Sequence, residues 1–278
     1  TGIGLLQEGS FTTLDWYNYV WFAGNSILVL TSYPLIYIFE RTFGFISDAT
    51  LVELSDTNQP LLRKLAEKAP GTFQHSLQVA NLAEEAARQT EANTLLIRTA
   101  ALYHDIGKMD EPRFFIENLT SNNNPHDQLE FEESAKKIIG HVIKGIEIAK
   151  KNKLPDIIID FIRTHHGTTT VQYFYKSYIK KYPEKEGDIA KFKYPGPKPF
   201  SKETAIMMMS DAVEAASRSL KTLTKEVIND LVENIINKQI DEDQFENADL
   251  TMKDIRVIKQ IFKDKLLNIY HARIEYPE

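Results

Sequence analysis

The chain has 278 residues, with 33 Lys and Arg against 39 Asp and Glu and a formal charge of -6. That balance argues against a dedicated nucleic-acid binder, which needs a concentrated basic surface, and a composition 42% hydrophobic and 26% charged is that of a folded protein. Cysteine is absent, which excludes disulfides, thiolate metal sites and cysteine nucleophiles and leaves nitrogen and oxygen to hold any metal.

The first distinct element is a run of 24 uncharged residues from Trp16 to Phe39. As a helix it would be about 36 Å long, enough to cross a hydrocarbon core of about 30 Å with some tilt. Trp16, Tyr17, Tyr19, Trp21 and Phe22 gather at one end and Tyr33, Tyr37, Phe39 and Phe43 at the other, where aromatic rings favour the membrane interface. No Lys or Arg precedes Arg41, and Arg63, Lys64 and Lys68 follow it, so the positive-inside rule puts everything after Glu40 in the cytoplasm. The competing reading is a buried core helix, softened by Asn18, Asn25, Ser26, Thr31 and Ser32. With Thr1 first and no basic segment ahead of the apolar run, residues 1–45 are expected to be the last transmembrane helix of a longer membrane region and not a signal peptide.

Residues 46–70 follow as an expected linker helix, broken by Pro60. Apolar recurrence near 3.6 and its punctuation then predict helices over roughly 74–90, 94–105, 131–151, 155–166, 201–220, 224–238 and 252–271. Pro155 suits a first helical position, Gly167 the position after a helix end, and Leu250-Thr251-x-x-Asp254-Ile255 a capping box with a hydrophobic staple. No segment alternates as a strand and none is a glycine-rich phosphate loop. The fold expected is all-α.

The histidines fall on the inward stripes of these helices. His75 heads a stripe with Val79, Leu82 and Ala86; His104 closes one with Ile97 and Ala101; His141 lies between Ile138 and Gly145; and His165 ends the series Leu154, Ile158, Phe161. Asp211 shares a face with Thr204, Met208 and Ala215, where an unpaired carboxylate is costly to bury. One inward histidine is ordinarily a hydrogen-bonded core residue. Counting His166, five of the seven are placed this way, and burying them with two carboxylates is unfavourable unless metal ions offset the desolvation. Adjacent residues on a helix point about 100° apart, so His104-Asp105 and His165-His166 can each straddle an ion or reach two, with Asp105 the natural bridge.

His75, His104-Asp105 and Asp211, with His104-Asp-Ile-Gly-Lys108, resemble the signature of the HD-domain metal-dependent phosphohydrolases. The chain is closer to the seven-transmembrane-receptor HD proteins, the PgpH-like cyclic-di-AMP phosphodiesterases of bacteria. That likeness is carried by Gly71-Thr-Phe-Gln-His75-Ser, Phe115-Ile-Glu-Asn118, Asn124-Pro-His-Asp127, His141-Val, His165-His-Gly-Thr-Thr169, Tyr194-Pro-Gly-Pro197 and Arg273-Ile-Glu-Tyr-Pro277. Related phosphodiesterases of cyclic-di-GMP carry Gly-Tyr-Pro after the histidine pair; here Gly167-Thr-Thr-Thr-Val stands instead. The resemblance implies an HD domain over residues 71–278 that binds two divalent ions, iron or manganese, one held by His75, His104, Asp105 and Asp211 and the other by Asp105, His141, His165 and His166, the last of which could instead face a substrate phosphate.

On this reading a hydroxide shared by the ions attacks cyclic-di-AMP and gives pApA, with Asp105 and Lys108 catalytic and Lys108 offsetting phosphate charge. The segment 168–200 interleaves aromatics and lysines, either as a lid that stacks adenine or as a solvated helix with core-facing rings. Tyr173, Tyr194, Arg218 and Asn124 are the candidate substrate contacts. The partners expected are a cyclic dinucleotide and, through the first helix, a lipid bilayer; no nucleic-acid polymer is expected, and a homodimer is compatible. The location implied is the bacterial inner membrane with the HD domain in the cytoplasm. Two alternatives stay open: an HD hydrolase of another nucleotide, and a nucleotide-binding receptor module without turnover.

Overall fold

In a computed structural model, residues 16–119, 123–220 and 224–271 are described. Among them eleven α-helices form and no strand does, the one isolated β-bridge joining Thr170 to Lys193. The chain divides into two compact units, Thr1–Thr50 and Leu51–Glu278.

The first unit contains α1 (Trp16–Phe43), with no buried residue. It is long and apolar enough to cross a membrane. Its hydroxyls turn back on the helix: Ser26, Thr31, Ser32 and Thr42 donate to the carbonyls of Phe22, Leu28, Val29 and Ile38. Such bonds satisfy polar side chains without water. After the helix the Glu40 carboxylate accepts from the Ser47 amide at 2.6 Å and the Thr50 hydroxyl at 3.0 Å, which fixes the turn into α2 (Asp48–Ser55).

In the second unit α3 (Pro60–Lys68) buries Leu61, Leu62 and Leu65, each contributing about 1.5–3 kcal/mol if fully withdrawn from water. The expected break falls at residues 56–59, and Pro60 starts the second helix, at a position where no amide donor is needed. Then come α4 (Pro70–Gln89), α5 (Thr94–Tyr103), α6 (Phe131–Lys151), α7 (Asp156–Thr164), α8 (Gln172–Lys181), α9 (Lys202–Ser217), α10 (Lys225–Asp241) and α11 (Met252–His271). Pro155 lies one residue earlier than expected, as the N-cap of α7. The predicted Thr251–Asp254 box forms in both directions, and Ser201 with Thr204 makes a second that was not foreseen.

The middle of the unit is α9. Its run from Thr204 to Asp211 is buried throughout, and α4, α5, α7, α10 and α11 pack around it. A helix enclosed on every side can be apolar on every side, which accounts for Ile206-Met-Met-Met. Segment 168–200 forms α8 and a 3-10 run, Pro183–Phe192. Phe174, Tyr178 and Phe192 close a satellite core with Ala135 of α6, so these rings are structural.

Two glycines permit the backbone approaches that bring the histidine-bearing elements together. A Cβ on Gly107, in the 3-10 turn Ile106–Met109 after α5, would stand 1.9 Å from the His141 carbonyl and 2.5 Å from the Gly145 amide. One on Gly71 would stand 1.8 Å from the Glu117 carbonyl. Gly107→Ala is therefore expected to lower unfolding free energy by about 1–3 kcal/mol, as overpacking does, and to weaken metal retention by displacing His141. Gly140, with open space around its Cβ position, is the control: Gly140→Ala should leave stability unchanged or raise it by about 0.5–1 kcal/mol. Urea denaturation of both variants measures the contrast, and an undisturbed Gly107→Ala protein would contradict it.

Candidate metal centre

Five elements converge on Asp105. His75 comes from the second turn of α4, His104 caps α5 and Asp105 follows it, His141 lies within α6, His165 caps α7 with His166 next, and Asp211 comes from α9. The Asp105 Oδ2 stands 3.2 Å from His104 Nε2 and 3.6 Å from His75 Nε2. Its Oδ1 stands 3.3 Å from His141 Nε2 and 3.6 Å from His165 Nε2. The Asp211 Oδ1 closes the first side, 2.8 Å from His75 Nε2 and 3.7 Å from His104 Nε2, while its Oδ2 stands 3.6 Å from His166 Nδ1. His75, His104 and Asp211 thus form one group able to hold an ion, and His141, His165 and His166 another, with Asp105 between them.

The donor orientation fits a cation. His104, His141 and His165 each direct Nδ1 to the carbonyl three residues back in the chain, those of Ala101, Ile138 and Ile162 at 2.7, 2.6 and 2.8 Å. A carbonyl only accepts, so these bonds place the proton on Nδ1 and leave the Nε2 lone pair facing inward. His141 Nε2 and His165 Nε2 face each other at 3.1 Å, a repulsive pairing unless a positive charge or a proton sits with them. His104 Nε2 and Asp105 Oδ1 are buried without a hydrogen-bond partner, the 3.2 Å approach of His104 to Asp105 lying outside hydrogen-bond alignment. Buried polar atoms without a partner are costly, and a bound ion would satisfy both together.

Behind this shell lies a second network that the motifs predict only in outline. Lys108 is partly buried, its Nζ 2.8 Å from Asp105 Oδ2 and 2.9 Å from Glu117 Oε1. Thr72 donates its hydroxyl to Glu117 and accepts from the Asn118 amide, whose oxygen accepts from the Thr72 backbone. The Gly71-Thr72 and Glu117-Asn118 motifs are therefore two halves of one clamp on Lys108. Glu214 is the residue that sequence reading missed. It is buried one turn beyond Asp211, its Oε2 pairs with His75 Nδ1, and its Oε1 accepts from Arg218 Nε at 2.7 Å. Its offset of three from Asp211, on a stripe of buried positions, was the available signal.

The candidate substrate contacts separate. The Tyr194 ring, buried, stacks on His166 with centroids 4.2 Å apart and forms a wall of the centre. Tyr173 is 75% exposed and edge-on to Phe174, outside the cluster. Arg218, expected at a phosphate, pairs with Glu214. Asn124, expected at the substrate, caps the 3-10 turn Pro125–Gln128 by accepting from the His126 amide. Lys108, expected to meet phosphate oxygens, lies between the Asp105 and Glu117 carboxylates.

Electrostatics follow the same geometry. Burial alone would push Asp105 and Asp211 up, but Lys108 and His104 for the first and His104 and His75 for the second hold them well below the usual carboxylate range. Burial likewise opposes a charge on His104, yet Asp105 and Asp211 outweigh it and raise that imidazole to about 10. His141 goes the other way, pushed down to about 3 by burial, which the charge of Asp105 does not offset. In the metal-free chain His104 therefore carries a second proton, on Nε2, at neutral pH, whereas His141 keeps only the one on Nδ1. Mn2+ binding at pH 7 is expected to release the His104 proton, and apparent affinity should rise as pH approaches about 10. Calorimetric titration in buffers of different ionisation enthalpy measures the release; binding with no net proton released would contradict the assignment.

The HD domain family model matches residues 72–216, a stretch that contains every residue of the cluster. Over 275 residues the chain is 42% identical to the cyclic-di-AMP phosphodiesterase PgpH of Listeria monocytogenes serotype 1/2a (strain 10403S), covering 99% of this chain and 37% of that protein. Identity to the cyclic-di-AMP phosphodiesterase PgpH of Bacillus subtilis (strain 168) is 43% over 256 residues, 91% of this chain and 35% of that one. The chain thus spans a little over a third of the length of these relatives. The crystal structure of the L. monocytogenes phosphodiesterase PgpH HD domain in complex with cyclic-di-AMP aligns with a TM-score of 0.75 at 43% identity, over 77% of this chain and all of that one. Its matched stretch, its helical fold and its paired histidine and aspartate donors agree, and this chain belongs to the HD domain family.

Proposed function

We propose that the chain is the catalytic part of a membrane-anchored, metal-dependent phosphodiesterase that opens cyclic-di-AMP to linear pApA. One observation carries the reading: a single buried carboxylate, Asp105, presents one oxygen to each of two groups of inward imidazoles. The relatives and the solved HD domain supply the substrate, since their names couple this fold to cyclic-di-AMP. In this organisation residues 1–45 anchor the chain in the bacterial inner membrane, 46–70 connect, and 71–278 act in the cytoplasm.

Two divalent ions, iron or manganese, would supply an activated water and offset phosphate charge at a site built this way. His75, His104, Asp105 and Asp211 would hold one, and Asp105, His141, His165 and His166 the other. The reaction adds water across one phosphorus–O3′ bond, leaving a 5′-phosphate and a free 3′-hydroxyl. The protein's part is to fix positions. Nδ1 bonds lock the imidazoles, Lys108 keeps Asp105 ionised, and α9 sets Asp211. The His166–Tyr194 stack gives the phosphodiester an aromatic wall that limits water on that side.

The full chain in detergent, loaded with Mn2+ or Fe2+, should convert cyclic-di-AMP to pApA in preference to cyclic-di-GMP and guanosine tetraphosphate, with products separated by chromatography. Asp105→Ala should lose both ions and reduce turnover to background. Turnover of guanosine tetraphosphate alone would favour an HD hydrolase of another nucleotide. Two bound ions with no turnover of any of the three would favour a receptor module.

A further inference from the structure

We infer that Glu214 is a positioning residue that holds His75 and makes the ion position on the His75 side the tighter of the two. The inference rests on the two-ion reading above and goes beyond it by ranking the positions.

The argument begins with an asymmetry among the imidazoles. His104, His141 and His165 are each held by a neutral carbonyl three residues back in the chain. His75 is held by a carboxylate from another helix, 139 positions away in sequence. Glu214 is buried, and Arg218 takes its second oxygen from the helix's solvent-facing end. The carboxylate is thereby held in orientation between Arg218 and the His75 ring.

A carboxylate on the far nitrogen of an imidazole fixes its tautomer and raises its basicity as a metal ligand, and removing such a partner typically costs 10–100-fold in metal affinity. This support reaches one position only. His75 lies beside Asp211 and Asp105 Oδ2, whereas Asp105 Oδ1 faces His141 and His165. The His75 side also has two carboxylate donors, Asp105 and Asp211, where the His141 side has Asp105 and imidazoles. More anionic donors and a carboxylate-backed histidine both favour a divalent ion there. Because Asp211 and Glu214 are three residues apart on α9, one helix delivers a ligand and the orientation of another.

The test is removal of Mn2+ from the full chain in detergent by a graded chelator series, with metal per chain read by mass spectrometry. Wild type should lose its ions in two steps. In Glu214→Gln, which keeps shape and loses charge, the second, tighter step should move by about 10–100-fold in chelator while the first stays in place. His141→Ala, conversely, should abolish the first step and leave the second. Circular dichroism melting checks that each variant is folded. A Glu214→Gln profile that matches wild type, or one in which both steps move together, would overturn the inference while leaving the two-ion reading intact. A wild-type chain that binds fewer than two ions overturns both. If Glu214→Gln does not fold, 15N-histidine spectra of the Zn2+-loaded wild type decide: His75 should show its Nδ1 proton well downfield of those of His104, His141 and His165, as a carboxylate partner requires. Four alike would sink the proposal.

Discussion

Everything in the second unit is arranged around a carboxylate that has no access to water. Asp105 is 1% exposed and has imidazoles on both sides, and in a helical core without cations such a group would neutralise by binding a proton. Here the surroundings hold it ionised. Lys108 lies against one oxygen, and Lys108 is itself held by Glu117, which its charge keeps below the ordinary carboxylate range despite burial. The cluster is thus a nest of alternating charges into which a divalent ion fits as the missing positive member, and protons stand in for it when it is absent.

That centre depends on close backbone packing as much as on charge. Gly107 allows the turn after α5 to lie on α6, and Gly71 allows the start of α4 to lie on the loop that carries Glu117. Each contact sets the distance from an imidazole or its supporting lysine to Asp105. A Cβ at either point would open the centre by more than the few tenths of an ångström that a coordination shell tolerates. The same logic explains why α9, which carries Asp211 and Glu214, is enclosed by five other helices: a ligand-bearing helix is most rigid where nothing around it is free to move.

The aromatic segment after the histidine pair divides into two roles. Phe174, Tyr178 and Phe192 are consumed in a satellite core against α6, so the ridge from which His141 projects is backed by packed rings. Tyr194 alone, of the tyrosines proposed for substrate, reaches the histidines. In water the exposed apolar surface of α1 would be costly, whereas its internally bonded hydroxyls suit an environment without hydrogen-bond partners.

The sequence by itself determined the helix pattern, the all-α class, the apolar first helix and the identity of the inward histidines and aspartates, because helical period and burial are local and repeat along the chain. Helix α6 spans Phe131–Lys151 as the apolar recurrence requires, and the Thr251–Asp254 box closes as its spacing demands. Segment 168–200 was the exception: the buried face of its helix α8 is covered by Phe131, Ala135 and Ile138 of another helix together with Phe192. Tertiary structure alone decided which oxygen of Asp105 faces which imidazoles, that Arg218 serves Glu214, that Asn124 caps a turn, and that Lys108 bridges two carboxylates. Those pairings join residues from different helices, and Coulomb and hydrogen-bond energies depend on distances that no local spacing encodes.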